Sequence, residues 1–274
     1  MQEIKMSIPN FDIRQIAASG QCFRIKPHPE EPDTFTVIAY GRYLKIRQKA
    51  GSREVSFFCS PENFKNIWWN YFDIGTDYAG IIESIDPEDR DLTVAAQKGS
   101  GIRILRQQLW ETMVSFIISQ NNNIPRIKHC IELLCELCGT SWQEDGRAVY
   151  AFPDAKRLYL TDLSPAKLGY REKYIKALAE NVWKGKEDLS ELIFSRSPYS
   201  YVENRLKSIY GIGPKVANCI MLFGLHRLES FPVDTWMHKI IEEKYNGVFP
   251  VERYRDYAGV IQQYIFNYAI NESD

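Results

Sequence analysis

The apolar pattern of this chain changes period once, and that change limits the folds open to it. TFTVIAY (34–40), RYLKIRQ (42–48) and REVSFFC (53–59) are rich in β-branched and aromatic residues, and Gly41 and Gly51 separate them as hairpin turns do. From PENFKNIWW (61–69) onward the spacing turns helical. Beyond the acidic stretch IDPEDRD (85–91) little reads as strand. WETMVSFIISQ, IPRIKHCIELLCELCG, REKYIKALAENVWKG, PYSYVENRLKSIYG, GPKVANCIMLFGL and VERYRDYAGVIQQYIFNYA all carry helical apolar spacing. Gly139, Gly185, Gly211 and Gly224 follow several of these segments, as glycines do at helix C-termini. No repeat of solenoid length is present. The expected architecture is α+β: an N-terminal antiparallel β-sheet domain over residues 1–90, then a helical domain over 91–274.

The chain has 274 residues, 45% of them hydrophobic and 25% charged, which suits a buried core and excludes disorder. MQEIKMSIPNFDIRQ is polar where a signal peptide needs an apolar stretch, and no apolar run is long enough to span a membrane, so a soluble, cytoplasmic protein is expected. Six cysteines are scattered without a secreted-scaffold spacing, which fits reduced thiols. Cys135 and Cys138 form a C-x-x-C, but zinc takes about four ligands and no second pair follows. IELLCELCG therefore reads as a core-facing helix. The C-terminal end has no cysteine, which excludes a cysteine-ligated iron–sulfur cluster there. A net charge of −1 excludes a non-specific DNA-coating protein and confines any nucleic-acid contact to a local patch. Arg196, Arg205, Lys207 and Lys215 lie close together, with Lys167, Arg171, Lys173 and Lys176 upstream. They form either such a patch or a solvated charged face.

NRLKSIYGIGPKVANCIMLFGL reads as a helix ending at Tyr210, a tight Gly211-Ile212-Gly213 turn, and a second helix opened by Pro214. Two glycines let the turn approach a ligand, and the new helix presents unpaired N–H groups suited to a phosphate. Lys215 sits in the first turn of an otherwise apolar helix, where dipole and surroundings both work against the ammonium form and favour a nucleophilic amine. The alternative is a lysine that snorkels to solvent or to a phosphate. Nineteen residues later, FPVDTW places Asp234 at the N-cap of TWMHKIIEEKY. It is either only a cap, or a carboxylate that converges on the amine and stabilises an oxocarbenium-like transition state.

GIGPKVANC…PVD resembles the helix-hairpin-helix glycosylases, in the branch whose lysine forms a Schiff base. The wider pattern of SGQCFR (19–24), SQNNNIPRI (119–127), LGYREKY (168–174) and YAGVIQQYIF (257–266) resembles the 8-oxoguanine DNA glycosylase family over nearly the whole chain. That resemblance implies a TATA-binding-protein-like sheet domain followed by the helical domain. It also implies a monomer that acts on double-stranded DNA containing oxidised guanine and everts the damaged base. Lys215 and Asp234 are then catalytic. The Gly20 carbonyl accepts the extra N–H of the oxidised base, Cys219 and Phe266 sandwich the base, and Gln262 reads its pairing edge. Asn121, Arg126, Tyr170 and Arg171 fill the gap and hold the orphaned cytosine, while Gly211 and Gly213 approach the backbone. No redox or organic cofactor is needed; hairpin carbonyls can hold a structural cation.

Three positions depart from the family pattern. Trp236 stands where eukaryotic relatives have histidine, Phe223 replaces a methionine, and Asn218 an aspartate. Two other functions fit parts of the pattern: an alkylpurine glycosylase working without a lysine imine, and a non-catalytic helix-hairpin-helix DNA-binding protein. The joint presence of Lys215, Asp234, Gly20 and the cytosine set disfavours both.

Overall fold

The computed structural model describes residues 2–194 and 197–272, so Arg196 of the basic patch lies outside the described residues. Its larger sheet has five strands: β1 (Glu3–Ser7), β2 (Ile25–Pro27), β3 (Thr34–Ala39), β4 (Arg42–Arg47) and β5 (Glu54–Phe58), in the spatial order β1-β5-β4-β3-β2. β1 pairs antiparallel with β5 (Ile4 opposite Phe57), β5 with β4 and β2 with β3. The expected strands lie in β3, β4 and β5. Tyr40 and Gly41, both at positive φ, make the two-residue turn between β3 and β4. Two edge strands go beyond the expected three: β1, where Ile4 and Met6 alternate with polar residues but neither is fully buried, and β2, which at three residues is too short to show a period.

The longer helices are α1 (Arg90–Lys98), α2 (Leu109–Ser119), α3 (Ile124–Cys138), α4 (Glu172–Trp183), α5 (Tyr199–Lys207), α6 (Pro214–Phe223), α7 (Thr235–Tyr245) and α8 (Ala258–Glu272). Each but α1 and α7 falls on a segment named above; those two combine the same spacing (Leu92, Ala95 and Ala96; Met237, Ile240 and Ile241) with a cap, Asp89 accepting from the Leu92 N–H and Asp234 from the Met237 N–H. α5 ends at Lys207 rather than Tyr210. There Ser208 bonds the Arg205 carbonyl, and the Ile212 N–H bonds the Ile209 carbonyl to start the glycine turn. One expectation fails in the helical region. Ser141–Glu144 and Arg147–Tyr150 form a small hairpin about Asp145-Gly146, both at positive φ. The Asp-Gly pair between Trp142 and Val149 was the available signal.

The chain forms two compact units whose edges do not follow a single cut near residue 90. One unit comprises residues up to 37, 44–106 and 226 onward; the other comprises 38–43 and 107–225. The C-terminal helices thus belong with the sheet, because α8 packs along α1. In the sheet unit Val37, Leu44, Ile46, Val55 and Phe57 are buried, and Phe72 meets Phe57 and Phe11 edge-on at 5.8 and 5.5 Å. In the helical unit α2 and α6 supply much of the core, through Met113, Val114, Ile117, Val216, Ile220 and Leu222. All six cysteines are buried thiols, and Cys138 donates to the Leu134 carbonyl within α3.

A polar cluster stands inside the sheet unit around Asp73, which is 3% exposed. One carboxylate oxygen accepts from Arg106 Nε at 2.9 Å; the other accepts from the Tyr78 hydroxyl at 3.0 Å and lies 3.3 Å from His226 Nε2. Arg103, beneath, donates to the carbonyls of Asp73, Pro9 and Asn10, with its guanidinium 4.4 Å from the centre of the Tyr78 ring. Burial works against the Asp73 charge, but the His226 ring and the Arg106 guanidinium outweigh it and hold the carboxyl well below the usual carboxylate range. A carboxyl depressed in the fold contributes stability that is complete above the unfolded value, about 4, and that fades as pH falls below it. Asp73→Asn should therefore cost about 3–5 kcal/mol at neutral pH, as removal of one partner from a buried ion pair does. The gap from the wild type should narrow below about pH 4. Urea unfolding of both proteins across that pH range checks this; a gap independent of pH contradicts it.

Candidate nucleic-acid and catalytic site

The residues singled out in the sequence fall into two sets, one in each unit. In the helical unit, Gly213 caps α6 with extended backbone and Pro214 occupies the first turn. Lys215 follows, half-buried, with its Nζ 5.4 Å from the centre of the Phe116 ring on α2. Phe116 also stacks on Phe223 at 5.4 Å and 15°. One turn beyond Lys215 along α6 is Cys219, 2% exposed. Lys215, Cys219 and Phe223 recur at four-residue intervals and so share one side of the helix. An amine held over an aromatic face at a helix N-terminus has lost part of its hydration and keeps a direction. Asn218, the departure from aspartate, donates to Glu203 and to the Pro214 carbonyl and accepts from Tyr199, which ties α6 to α5.

The glycine turn and the 120–123 turn meet. Gly211 has φ +90, and a Cβ placed there would lie 2.4 Å from Tyr174 Cγ, so the turn needs glycine for both conformation and space. Gly213 differs: nothing lies within 4 Å of an added Cβ, and its backbone faces open space. Two turn carbonyls already have donors, that of Ile209 from Ile212 N–H and that of Gly211 from Gln120 Nε2 at 3.0 Å. Asn121, at φ 46, donates to the Tyr170 hydroxyl at 3.2 Å. Arg171 is only 5% exposed, and its donors go to main-chain carbonyls: Nε at 2.8 Å and one Nη to Gln120, that Nη also to Asn121 at 2.8 Å, and the other Nη to Leu168. Its guanidinium also covers the Tyr170 ring at 4.6 Å. Arg126, by contrast, is exposed in the first turn of α3, where Asn123 caps its N–H.

In the sheet unit, Asp234 is the N-cap of α7, accepting from Met237 N–H at 2.9 Å. Trp236 on the same turn is 43% exposed. Gln262 (3% exposed) and Phe266 (half-buried) stand one turn apart on α8, so they share a side; Gln262 accepts from Gln263 at 3.0 Å. Gly20, at φ 74, is fixed by its neighbours. Buried Gln21 donates to Ser19 Oγ and the Arg103 carbonyl, and accepts from Leu105 N–H at 2.8 Å. Sequence reasoning missed Gln120, Phe116 and Tyr174. Gln120 lies within the quoted SQNNNIPRI, but nothing in sequence joins it to the glycine turn.

The fold matches those of known proteins. A solved structure of MBOgg1 in complex with a low-affinity DNA ligand matches with a TM-score of 0.92 and 34% identity over 100% of this chain and 97% of that one. This chain belongs to the 8-oxoguanine DNA glycosylase family. The Clostridium acetobutylicum 8-oxoguanine glycosylase/lyase, solved on DNA with cytosine opposite 8-oxoguanine, gives 0.89 and 33% over 100% and 98% of the two chains. The profile of the 8-oxoguanine DNA glycosylase N-terminal domain matches residues 3–113. The Saccharomyces cerevisiae N-glycosylase/DNA lyase is 37% identical over 201 residues, 68% of this chain and 53% of that protein, so the chain spans about half the length of that relative. The five-stranded antiparallel sheet followed by helices is this family's architecture. Among the described residues no helix is long and apolar enough to cross a membrane, and no cluster of His, Cys, Asp or Glu could hold a metal ion.

The two glycines of the family's turn should respond differently to one added carbon. Gly211→Ala, strained at φ +90 and driven against Tyr174, should lower stability by about 1–3 kcal/mol. Gly213→Ala, with φ −92 and open space, should leave it nearly unchanged. Thermal melting of the two variants side by side tests the contrast, and equal losses would contradict it.

Proposed function

We propose that this protein is a bifunctional DNA glycosylase/AP lyase that excises 8-oxoguanine, preferentially opposite cytosine, through a Schiff base on Lys215. The observation that carries the reading is the α6 stripe: a half-buried lysine at a helix N-terminus, its amine over Phe116, with Cys219 one turn along. Similarity to an 8-oxoguanine glycosylase/lyase over the full chain supports the same substrate.

In this mechanism the glycine turn and the first N–H groups of α6 bind a backbone phosphate, and the damaged nucleotide is turned out of the stack. Cys219 and Phe266 take the two faces of the base and Gln262 its pairing edge. The Gly20 carbonyl accepts the N–H that oxidation adds; guanine has a lone pair on that nitrogen and would leave the acceptor opposed, at a cost of about 1–3 kcal/mol. The Lys215 amine attacks C1′, the C1′–N bond breaks, and the base leaves with that electron pair and takes a proton. After the new amine loses a proton, its electron pair forms the C=N bond as the C1′–O4′ bond breaks; O4′ leaves with that bond's electrons and takes a proton, so the sugar opens to an iminium. Removal of a C2′ proton then expels the 3′ phosphate by β-elimination. Asp234 stabilises the positive charge on the sugar and assists the proton transfers. Asn121, Arg126, Tyr170 and Arg171 receive the orphaned cytosine, whose two adjacent acceptors suit guanidinium donors: those of exposed Arg126 and the one Arg171 N–H that main-chain carbonyls do not take. No step passes through a cofactor or a metal ion.

Borohydride reduces an imine to a permanent bond, so it should trap the protein on duplex DNA containing 8-oxoguanine. Lys215→Gln should abolish trapping and strand cleavage while it keeps DNA affinity. A non-catalytic DNA-binding protein gives no trapped species with either form, and normal trapping by the variant assigns the nucleophile elsewhere.

Asp234→Asn should slow base release by at least a hundredfold, the order typical of a lost transition-state stabiliser, at nearly unchanged affinity. Asparagine still caps α7, so the substitution loses only the carboxylate's charge against the helix dipole, about 0.3–1 kcal/mol. Single-turnover rates measured with the melting temperature separate the two roles: a rate loss that merely follows unfolding leaves Asp234 as a cap alone.

A further inference from the structure

The 120–121 turn and the glycine turn are 91 residues apart in sequence, and one residue touches both. Gln120 is the half-buried C-cap of α2. Its side-chain amide donates to the Gly211 carbonyl at 3.0 Å, with a second contact of 3.3 Å to Ile117. Its main-chain carbonyl accepts from Arg171 Nε at 2.8 Å, from an Arg171 Nη, and from the Tyr170 hydroxyl at 3.3 Å. The side chain therefore holds the turn that leads to Lys215, while the main chain is held by two of the residues assigned to the orphaned cytosine. A second route closes the circuit. The rings of Tyr170, Tyr174 and Tyr210 meet edge-on at 6.0 and 4.8 Å, and Tyr174 lies against Gly211, where it would block any Cβ.

We propose that Gln120 is a positioning residue that couples recognition of the base opposite the lesion to placement of Lys215. The inference rests on the functional reading above. A base that satisfies Arg126, Arg171 and Asn121 leaves Arg171 seated under the Gln120 carbonyl, and the amide then keeps the Gly211 carbonyl where it is. A base that displaces Arg171 also displaces the Gln120 backbone and loosens the hold on Gly211. Lys215 follows four residues later on a helix that starts from this turn, so the shift reaches the amine directly. Attack on C1′ is sensitive to such shifts, since a misplacement of about 1 Å can cost on the order of a hundredfold in rate. The tyrosine route passes beneath the turn through ring contacts, which are less directional than the amide bond and transmit less of a main-chain movement.

The test is single-turnover excision of 8-oxoguanine opposite cytosine and opposite adenine, at saturating protein, by wild type and by Gln120→Met. Methionine has a similar length without a donor. Gln120→Glu is the second variant: it keeps the shape but places an acceptor against the Gly211 carbonyl. In both variants the cytosine-to-adenine rate ratio should fall by about three- to tenfold, the range one hydrogen bond carries. A purely structural role lowers both rates by one factor and lowers the melting temperature, so it leaves the ratio intact; an unchanged ratio overturns the coupling. The functional reading fails separately, and visibly, in the wild type. No excision or trapping there refutes the glycosylase, and equal rates opposite the two bases refute the arginine assignment, and either result takes the coupling with it.

Discussion

The sheet unit depends on one buried negative charge. It is built from three separated stretches of chain, and the Asp73 carboxylate fastens the last residue of one, Arg106, and the first of another, His226. Hydrophobic burial of Phe57, Phe72 and Trp68 supplies the larger energy, but it is non-directional and does not fix where two chain segments leave a core. Bonds with defined geometry do. Tyr78 and Arg103 complete the arrangement: the Tyr78 hydroxyl donates to Asp73 and accepts from the Ile104 N–H, and Arg103 gathers carbonyls from residues 9, 10 and 73. Because a partly satisfied polar core is worse than an apolar one, these groups form a cooperative set.

In the helical unit the same role falls to a turn. Gly211 allows Tyr174 to approach, and the resulting contact sets the direction in which α6 begins. From that start follow the seat of Lys215 over Phe116 and the stripe that continues through Cys219 to Phe223. The position of the amine is thus set by the backbone more than by its own four-carbon stem.

Much of this could be read from residue types, because the causes are local. Pro214 opening α6, Asp234 capping α7 and the strands on either side of Gly41 each depend on a few neighbouring residues. The parts that could not be read depend on distant pairs. Nothing near Asp73 in sequence announces His226, and nothing in SQNNNIPRI shows that Gln120 reaches Gly211. Arg171 reads in sequence as a surface donor for DNA. In the fold its guanidinium is buried because a turn 50 residues away offers it carbonyls at the right spacing. The chain passes from one compact unit into the other at residue 226, inside the non-helical connection between α6 and α7, where the residue types mark only a turn between two helices.

That passage bears on how the molecule is made. A ribosome delivers residues 107–225 as one continuous segment, so nearly the whole helical unit is available to fold as soon as it has emerged. The strands of the sheet unit are synthesised before that segment, but α7, α8 and His226 come after it, so Asp73 waits without one of its partners while residues 107–225 are made. The unit whose strands are made before the helical unit is thereby completed after it, and a nascent chain stalled before residue 226 exposes the face of α1 that α8 will cover.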